Sequence, residues 1–214
     1  MAGGAVAVEL PPDRLVGWVN RFAGRNDGLT AVTTDGLTVI VTGGDGTAAT
    51  IEVPFGPMTV GDAEPVEALL THLAGLGALG LILVRGGAHS VGVSRNGVVL
   101  SSSTDRAYLQ GRTAAGGWSQ QRFARRRENQ RTASYDSAAS TAARILIPIA
   151  TSLTGLVLGG DRGGLTEVLA DTRLAALTAL PVRTFPDIAE PRRVVLDEIA
   201  GRSLSVEIVI RAAT

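Results

Sequence analysis

Leu79-Gly80-Leu81-Ile82-Leu83-Val84 contains no polar side chain and is closed by Arg85 and Gly86-Gly87. A run this short and this apolar predicts a central strand buried on both faces, not a half-solvated one. Such a strand must be covered from two sides, so the chain has to supply helices around it. Ser90 to Ser94 and Val98 to Ser102 follow closely, joined through Asn96-Gly97. That dipeptide accepts the positive φ angles of a tight hairpin, so Leu79 to Arg85 and the two later segments read as a meander.

Upstream, Ala5 to Leu10 alternates as a first strand, and Pro11-Pro12-Asp13 opens a helix through about Ala23. Leu15, Trp18, Val19 and Phe22 fall at helical spacing, which assigns Trp18 to the core. Leu29 to Thr34 and Leu37 to Thr42 bracket Asp35-Gly36 as a hairpin, and Ala48 to Val53 follows the turn Gly43-Gly44-Asp45-Gly46. That turn lacks the Lys and the following helix of a phosphate-binding loop. Val66 to Leu76 is a helix with Leu69, Leu70, Leu73 and Leu76 on one face. A boundary is therefore expected after it, with an N-terminal α/β lobe at 1–78 and a second domain at 79–214. In that domain Ser119 to Ile147 reads as a long helix, Leu153 to Leu158 as a strand, Gly159 to Gly164 as a tight connection and Leu165 to Asp171 as a short helix. Pro181 to Phe185, a helix from Pro191 to Ala200 and a final strand from Leu204 to Ile210 complete it. The fold class is α/β (α+β), a mixed β-sheet flanked by helices.

The 214 residues contain no cysteine and only His72 and His89, which removes thiol nucleophiles, disulfides and thiolate metal sites together. His89, beside Gly86-Gly87, is expected to be an exposed turn residue. No apolar run reaches about 18 residues, so a soluble, cytoplasmic protein without a membrane partner is expected. All 20 basic residues are arginine, and 20 acidic residues balance them.

That balance is uneven along the chain. Between Thr104 and Arg131 there are seven arginines, at 106, 112, 122, 125, 126, 127 and 131, against Asp105 and Glu128. Arg122 and Arg126, and again Arg127 and Arg131, are spaced i, i+4 and form stripes along a helix. Cations in the first turns of a helix oppose its dipole, at about 0.3–1 kcal/mol each, and a polyanion docking there would offset the cost. The stripe is thus a candidate nucleic-acid surface, against the plainer reading of a solvated helical face. Ser101 to Ala115, just before it, is polar and small and reads as a mobile loop.

The chemistry near this patch is restricted. It offers no cysteine, no histidine in the stretch, no G-x-S-x-G elbow and no carboxylate pair spaced for two metals. Asp105, Asp136 and Asp161 could hold Mg²⁺ only if the fold gathered them; no metal and no cofactor is expected. What remains is the pair Gln120 and Gln121, whose amides donate and accept hydrogen bonds but take no proton. An amide suffices to position water at an already activated ester, with loop glycines admitting backbone N–H donors.

The stretch Gly116-Gly117-Trp118-Ser119-Gln120-Gln121-Arg122-Phe123-Ala124-Arg125 resembles the Gly-Gly-Gln loop and following Arg-Phe-Ala-Arg helix in the middle domain of eukaryotic and archaeal class-1 release factors. In those factors Gln follows Gly-Gly directly, whereas Trp118 and Ser119 intervene here. The Gly-x-x-Gln form is similar to that of the release-factor-like (VLRF) peptidyl-tRNA hydrolases of ribosome-associated quality control, in an actinobacterial branch. The resemblance spans roughly Leu79 to Ile199. It implies a release-factor middle-domain fold and hydrolysis of peptidyl-tRNA on stalled large ribosomal subunits. Gln120 would be the catalytic glutamine, with Gly116, Gly117, Ser119 and Gln121 around it. Arg106, Arg112, Trp118, Arg122, Arg125, Arg126, Arg127 and Arg131 would touch tRNA and ribosomal RNA. The residues leave open an endonuclease acting on the tRNA 3′ end and a non-catalytic RNA-binding module, as well as the oligomeric state.

Overall fold

The computed structural model describes residues 5–106 and 118–213, with side chains omitted over 118–129. The chain divides into two compact units, Met1–Leu76 with Gly201–Thr214, and Gly77–Ala200.

The first unit is built on Val6–Leu10 (β1), Leu15–Arg25 (α1, after a 3-10 turn at Pro12–Arg14), Leu29–Thr34 (β2), Thr38–Gly43 (β3), Ala48–Glu52 (β4), Pro65–Gly75 (α2) and, far along the chain, Val206–Arg211 (β10). These strands form one sheet in the order β1-β10-β4-β3-β2, antiparallel throughout. Val39, Val41, Ala49, Ile51, Val206 and Ile208 alternate onto one face and pack with Leu15, Val19 and Phe22 of α1 and Leu69 and Leu73 of α2. Trp18 is half-buried and stacks on Phe22 with ring centroids 5.3 Å apart.

Placing β10 here corrects the expected division at 78/79. Alternation in Leu204 to Ile210 identifies a strand, but the partner is set by edge pairing: Ile208 lies opposite Val8 on one side and Ile51 on the other. Residues 201–214 therefore complete the N-terminal lobe.

The second unit contains Ala78–Arg85 (β5), Ala88–Arg95 (β6), Val98–Arg106 (β7), Trp118–Leu146 (α3), Leu153–Gly160 (β8), Arg162–Leu169 (α4), Val182–Phe185 (β9) and Arg193–Arg202 (α5), which ends at the border of the first unit. The strand order is β7-β6-β5-β8-β9, with β5 and β8 parallel, β8 and β9 parallel, and the meander antiparallel. This is the mixed sheet flanked by helices. β5 is central, and every residue from Ala78 to Val84 is buried. Ile82 and Val84 face α3 and α4, packed with Ala138, Ala142, Leu146 and Leu165. On the opposite face Leu196 of α5 approaches Gly92, where a Cβ would come within 2.9 Å of its Cδ2.

Two local readings are corrected. β7 continues to Arg106, because Ser101 to Asp105 pair with β6 although the run has no apolar alternation. Gly159 and Gly160 end β8, and Gly163 and Gly164 lie inside α4.

β10 lies between two strands that do not otherwise pair. Truncation after Ser205 should therefore strip amide-exchange protection from β1 and β4 and leave β5, β6 and β8 protected. Unchanged protection in β1 would contradict the register described.

Candidate functional site

α3 organises the region that the sequence singles out. It is 29 residues long, hence about 43 Å, and its second half packs on the sheet. Ser134 is 1% exposed and its Oγ donates to Gly87 O at 2.9 Å, at the tip of the β5–β6 hairpin. Ala138, Ala139, Ala142 and Leu146 follow at helical spacing and are buried. These small side chains let the helix lie close on the sheet, and the helix runs about 16 residues past Ser134 toward Trp118, or about 24 Å.

The hairpin tip is held from a second direction. Asp161, at the start of α4, accepts a hydrogen bond from Gly86 N at 3.0 Å and donates its own N–H to Val84 O at 2.7 Å. Gly160, at φ +98°, makes that reversal, and a side chain there would collide with Val84 O. Tyr135 of α3 rests on Gly164 of α4, where a Cβ would approach its Cε1 to 2.8 Å. Beside this contact a cleft of about 300 Å³ is lined by Arg131, Thr132, Tyr135, Asp136, Gly163 and Glu167.

The predicted residues are distributed as follows. Trp118, Ser119, Gln120 and Gln121 occupy the first turn of α3, and Arg122, Arg125, Arg126, Arg127 and Arg131 lie along the same helix. Gly116, Gly117 and Arg112 are outside the described residues, as are residues 107–115 of the expected mobile loop. Arg106 ends β7, is well exposed, and pairs with Glu190 at 3.1 Å. Glu190 Oε2 also lies 3.8 Å from Arg192. Asp105, Asp136 and Asp161 are not brought together, and among the described residues no group of three or more His, Asp or Glu is placed to hold a metal ion. Also among the described residues, no helix is long and apolar enough to cross a membrane.

His89 is not an exposed turn residue. It lies in β6, 2% exposed, with Nε2 3.2 Å from Thr141 Oγ1 on α3 and no partner for Nδ1. The Gly86-Gly87 turn ends one residue earlier, and β6 carries the ring beneath α3. Desolvation holds its pKa below the ordinary histidine value, with Asp105, its register partner on β7, pulling weakly the other way. Ser134, Thr141 and Asp161 were not recognised as positioning residues. The signal for Ser134 was its i, i+4 spacing from Ala138 on the apolar stripe.

Residues 77–209, more than half of the chain, match the family model described as the Actinobacteria/chloroflexi VLRF1 release factor. The chain belongs to this release-factor family. Among solved structures it is similar to the Vms1 mitochondrial localization core, at 12% identity and a TM-score of 0.49, covering 94% of this chain and 84% of that one. It is similar to the archaeal translation termination factor aRF1 at 13% identity and a TM-score of 0.38, over 95% and 68% of the two chains. For Archaeoglobus fulgidus Pelota the values are 15%, 0.33, 94% and 65%. A comparison with curated protein sequences finds no match.

A histidine whose folded pKa is depressed is stabilising while neutral, and that contribution is lost as pH falls below its unfolded value near 6.5. Urea unfolding should therefore show stability declining as pH falls below about 6.5, and His89→Gln should flatten this decline. An identical pH profile in the variant would show that His89 stays neutral without consequence.

Proposed function

We propose that the protein is a peptidyl-tRNA hydrolase that frees nascent chains from stalled large ribosomal subunits. The observation that carries the reading is that Gly-x-x-Gln of a release-factor family runs directly into the first turn of a long, arginine-rich helix. The first backbone N–H groups of any helix lack intrahelical acceptors, and the positive end of the dipole lies there. Gln120 thus stands where donors and a favourable field for a developing oxyanion coincide.

The reaction assigned to this junction is ester hydrolysis. Water attacks the peptidyl carbonyl carbon, the carbon–oxygen bond to the ribose breaks, and the ribose oxygen leaves with a proton originating from that water. Gln120 orders the water or the carbonyl and transfers no proton itself. The loop glycines let the backbone approach the substrate. The arginines of α3, with Arg106 and Arg112, bind phosphates of tRNA and ribosomal RNA as point charges and forks.

Neighbouring positions on a helix point about 100° apart, so Gln120 and Gln121 cannot both face one ester. On stalled 50S–peptidyl-tRNA complexes, Gln120→Ala should lower peptide release by about 10²–10³-fold, the scale of removing one oxyanion donor. Gln121→Ala should lose much less, and both should still bind. Released tRNA should keep its CCA end; a shortened end identifies an endonuclease, and binding without turnover identifies an RNA-binding module.

Replacing Arg125, Arg126 and Arg127 together by Ala should weaken binding and flatten its salt dependence by up to about one log–log unit per lost phosphate contact. An unchanged slope places that helical segment away from the backbone.

A further inference from the structure

The zero net charge of the chain is divided between its units. Met1–Leu76 with Gly201–Thr214 carry 5 Arg and 10 Asp or Glu, net −5, whereas Gly77–Ala200 carry 15 Arg and 10 Asp or Glu, net +5. The charge of the second unit therefore suits a nucleic-acid partner, and that of the first unit does not.

Helices α1 and α2 pack on one face of the sheet of the first unit. Across its other face, Ala7, Val209, Thr50, Ile40 and Thr33 lie in a single register row through all five strands. Ile40 is 38% exposed. The adjacent row, two residues along each strand, is acidic. Glu9 lies opposite Glu207, the same register brings Glu207 opposite Glu52, and Glu52 lies opposite Thr38. Thr38 in turn donates from N and Oγ1 to Asp35 Oδ1, at 2.7 and 3.1 Å.

Four carboxylates thus follow one another along one margin of the sheet, with strands about 4.8 Å apart. Like charges directly across strands destabilise a sheet. Arg202 relieves Glu9, with Nη2 2.7 Å from Oε2 and Nε 3.0 Å from Oε1. Glu52 and Glu207 are exposed and have no ion pair among the described residues.

We propose that this open face is a docking surface for a lysine- or arginine-rich protein segment. The β-branched and alanine row supplies an apolar bed, and the carboxylate row pairs with the cations of the partner. RNA is disfavoured there, because its phosphates would meet the carboxylates. Five strands by about five residues make a face of about 24 by 17 Å, on the order of 400 Å². That is about half of the roughly 800 Å² per partner of a stable complex, so the contact is transient and weakened by salt. We place the basic segment on a protein of the large ribosomal subunit, which rests on the function proposed above.

The test uses the full chain with p-benzoyl-phenylalanine placed at Thr50, mixed with stalled 50S–peptidyl-tRNA complexes and irradiated. The expected product is a cross-link to a basic ribosomal protein. Glu52→Arg/Glu207→Arg should reduce its yield about five- to tenfold, the scale of losing and reversing two exposed pairs. The variant removes carboxylate repulsion, so its thermal midpoint should be unchanged or higher; Glu52→Gln/Glu207→Gln provides a milder second variant that should also reduce the yield. Cross-links to ribosomal RNA, to a second copy of this chain, or to nothing overturn the proposal, as does a yield indifferent to both variants. Peptide release is measured in the same samples. Release without the cross-link refutes this surface and leaves the hydrolase reading, whereas the cross-link without release refutes the hydrolase reading and leaves this surface.

Discussion

The close contact of α3 with the hairpin of β5 and β6 is what the second unit depends on. Ala138, Ala139 and Ala142 contribute little apolar area individually, but they let the helix axis come close enough for Leu146 and Tyr135 to close the packing at either end. Ser134 then ties the helix to Gly87 O, and Asp161 ties Gly86 from the side of α4. Two independent hydrogen bonds hold one hairpin tip, one from α3 and one from the start of α4. N-terminal to Ser134 the helix continues as far as Trp118, through the turn that carries the glutamines.

The same helix separates its alanines from its arginines. Arginines, unfavourable near a helix N-terminus and unsuited to a core, are concentrated in the N-terminal half of α3. Alanines, which have the strongest helix propensity, are concentrated where the helix must lie flat on the sheet. Sheet and helix thereby pack closely along the alanine half of α3.

Most of the fold was legible because its signals are local. Asn96-Gly97 and Asp35-Gly36 fixed hairpins through backbone chirality, and α3, read as Ser119 to Ile147, runs Trp118–Leu146. The unbroken apolar run of β5 announced a strand covered on both faces, and it is. What failed to show was anything decided by distant pairing. The serines of β7 have no alternation, so only the partner strand reveals that they are sheet. His89 looked like part of a glycine turn because nothing near it in sequence indicates that Thr141 of α3 lies over it. At the candidate site, the glutamine motif was visible from its family pattern and the helix carrying it from periodicity. The clamps that aim the helix were not, since Ser134 and Asp161 are ordinary residues until Gly86 and Gly87 are placed against them.

The insertion of β10 between β1 and β4 has a consequence for how such a chain is made. Synthesis proceeds from the N-terminus, so β1 to β4 emerge long before the strand that joins them. Until β10 is translated, β1 lacks its partner and β4 presents an open edge, while β5 to β9 already have every strand they need. The later-made unit can therefore finish folding first, and the earlier-made one must wait with an unprotected edge of the kind that invites mispairing. Completion of the acidic lobe thus reports that the whole polypeptide between its two pieces has already been synthesised.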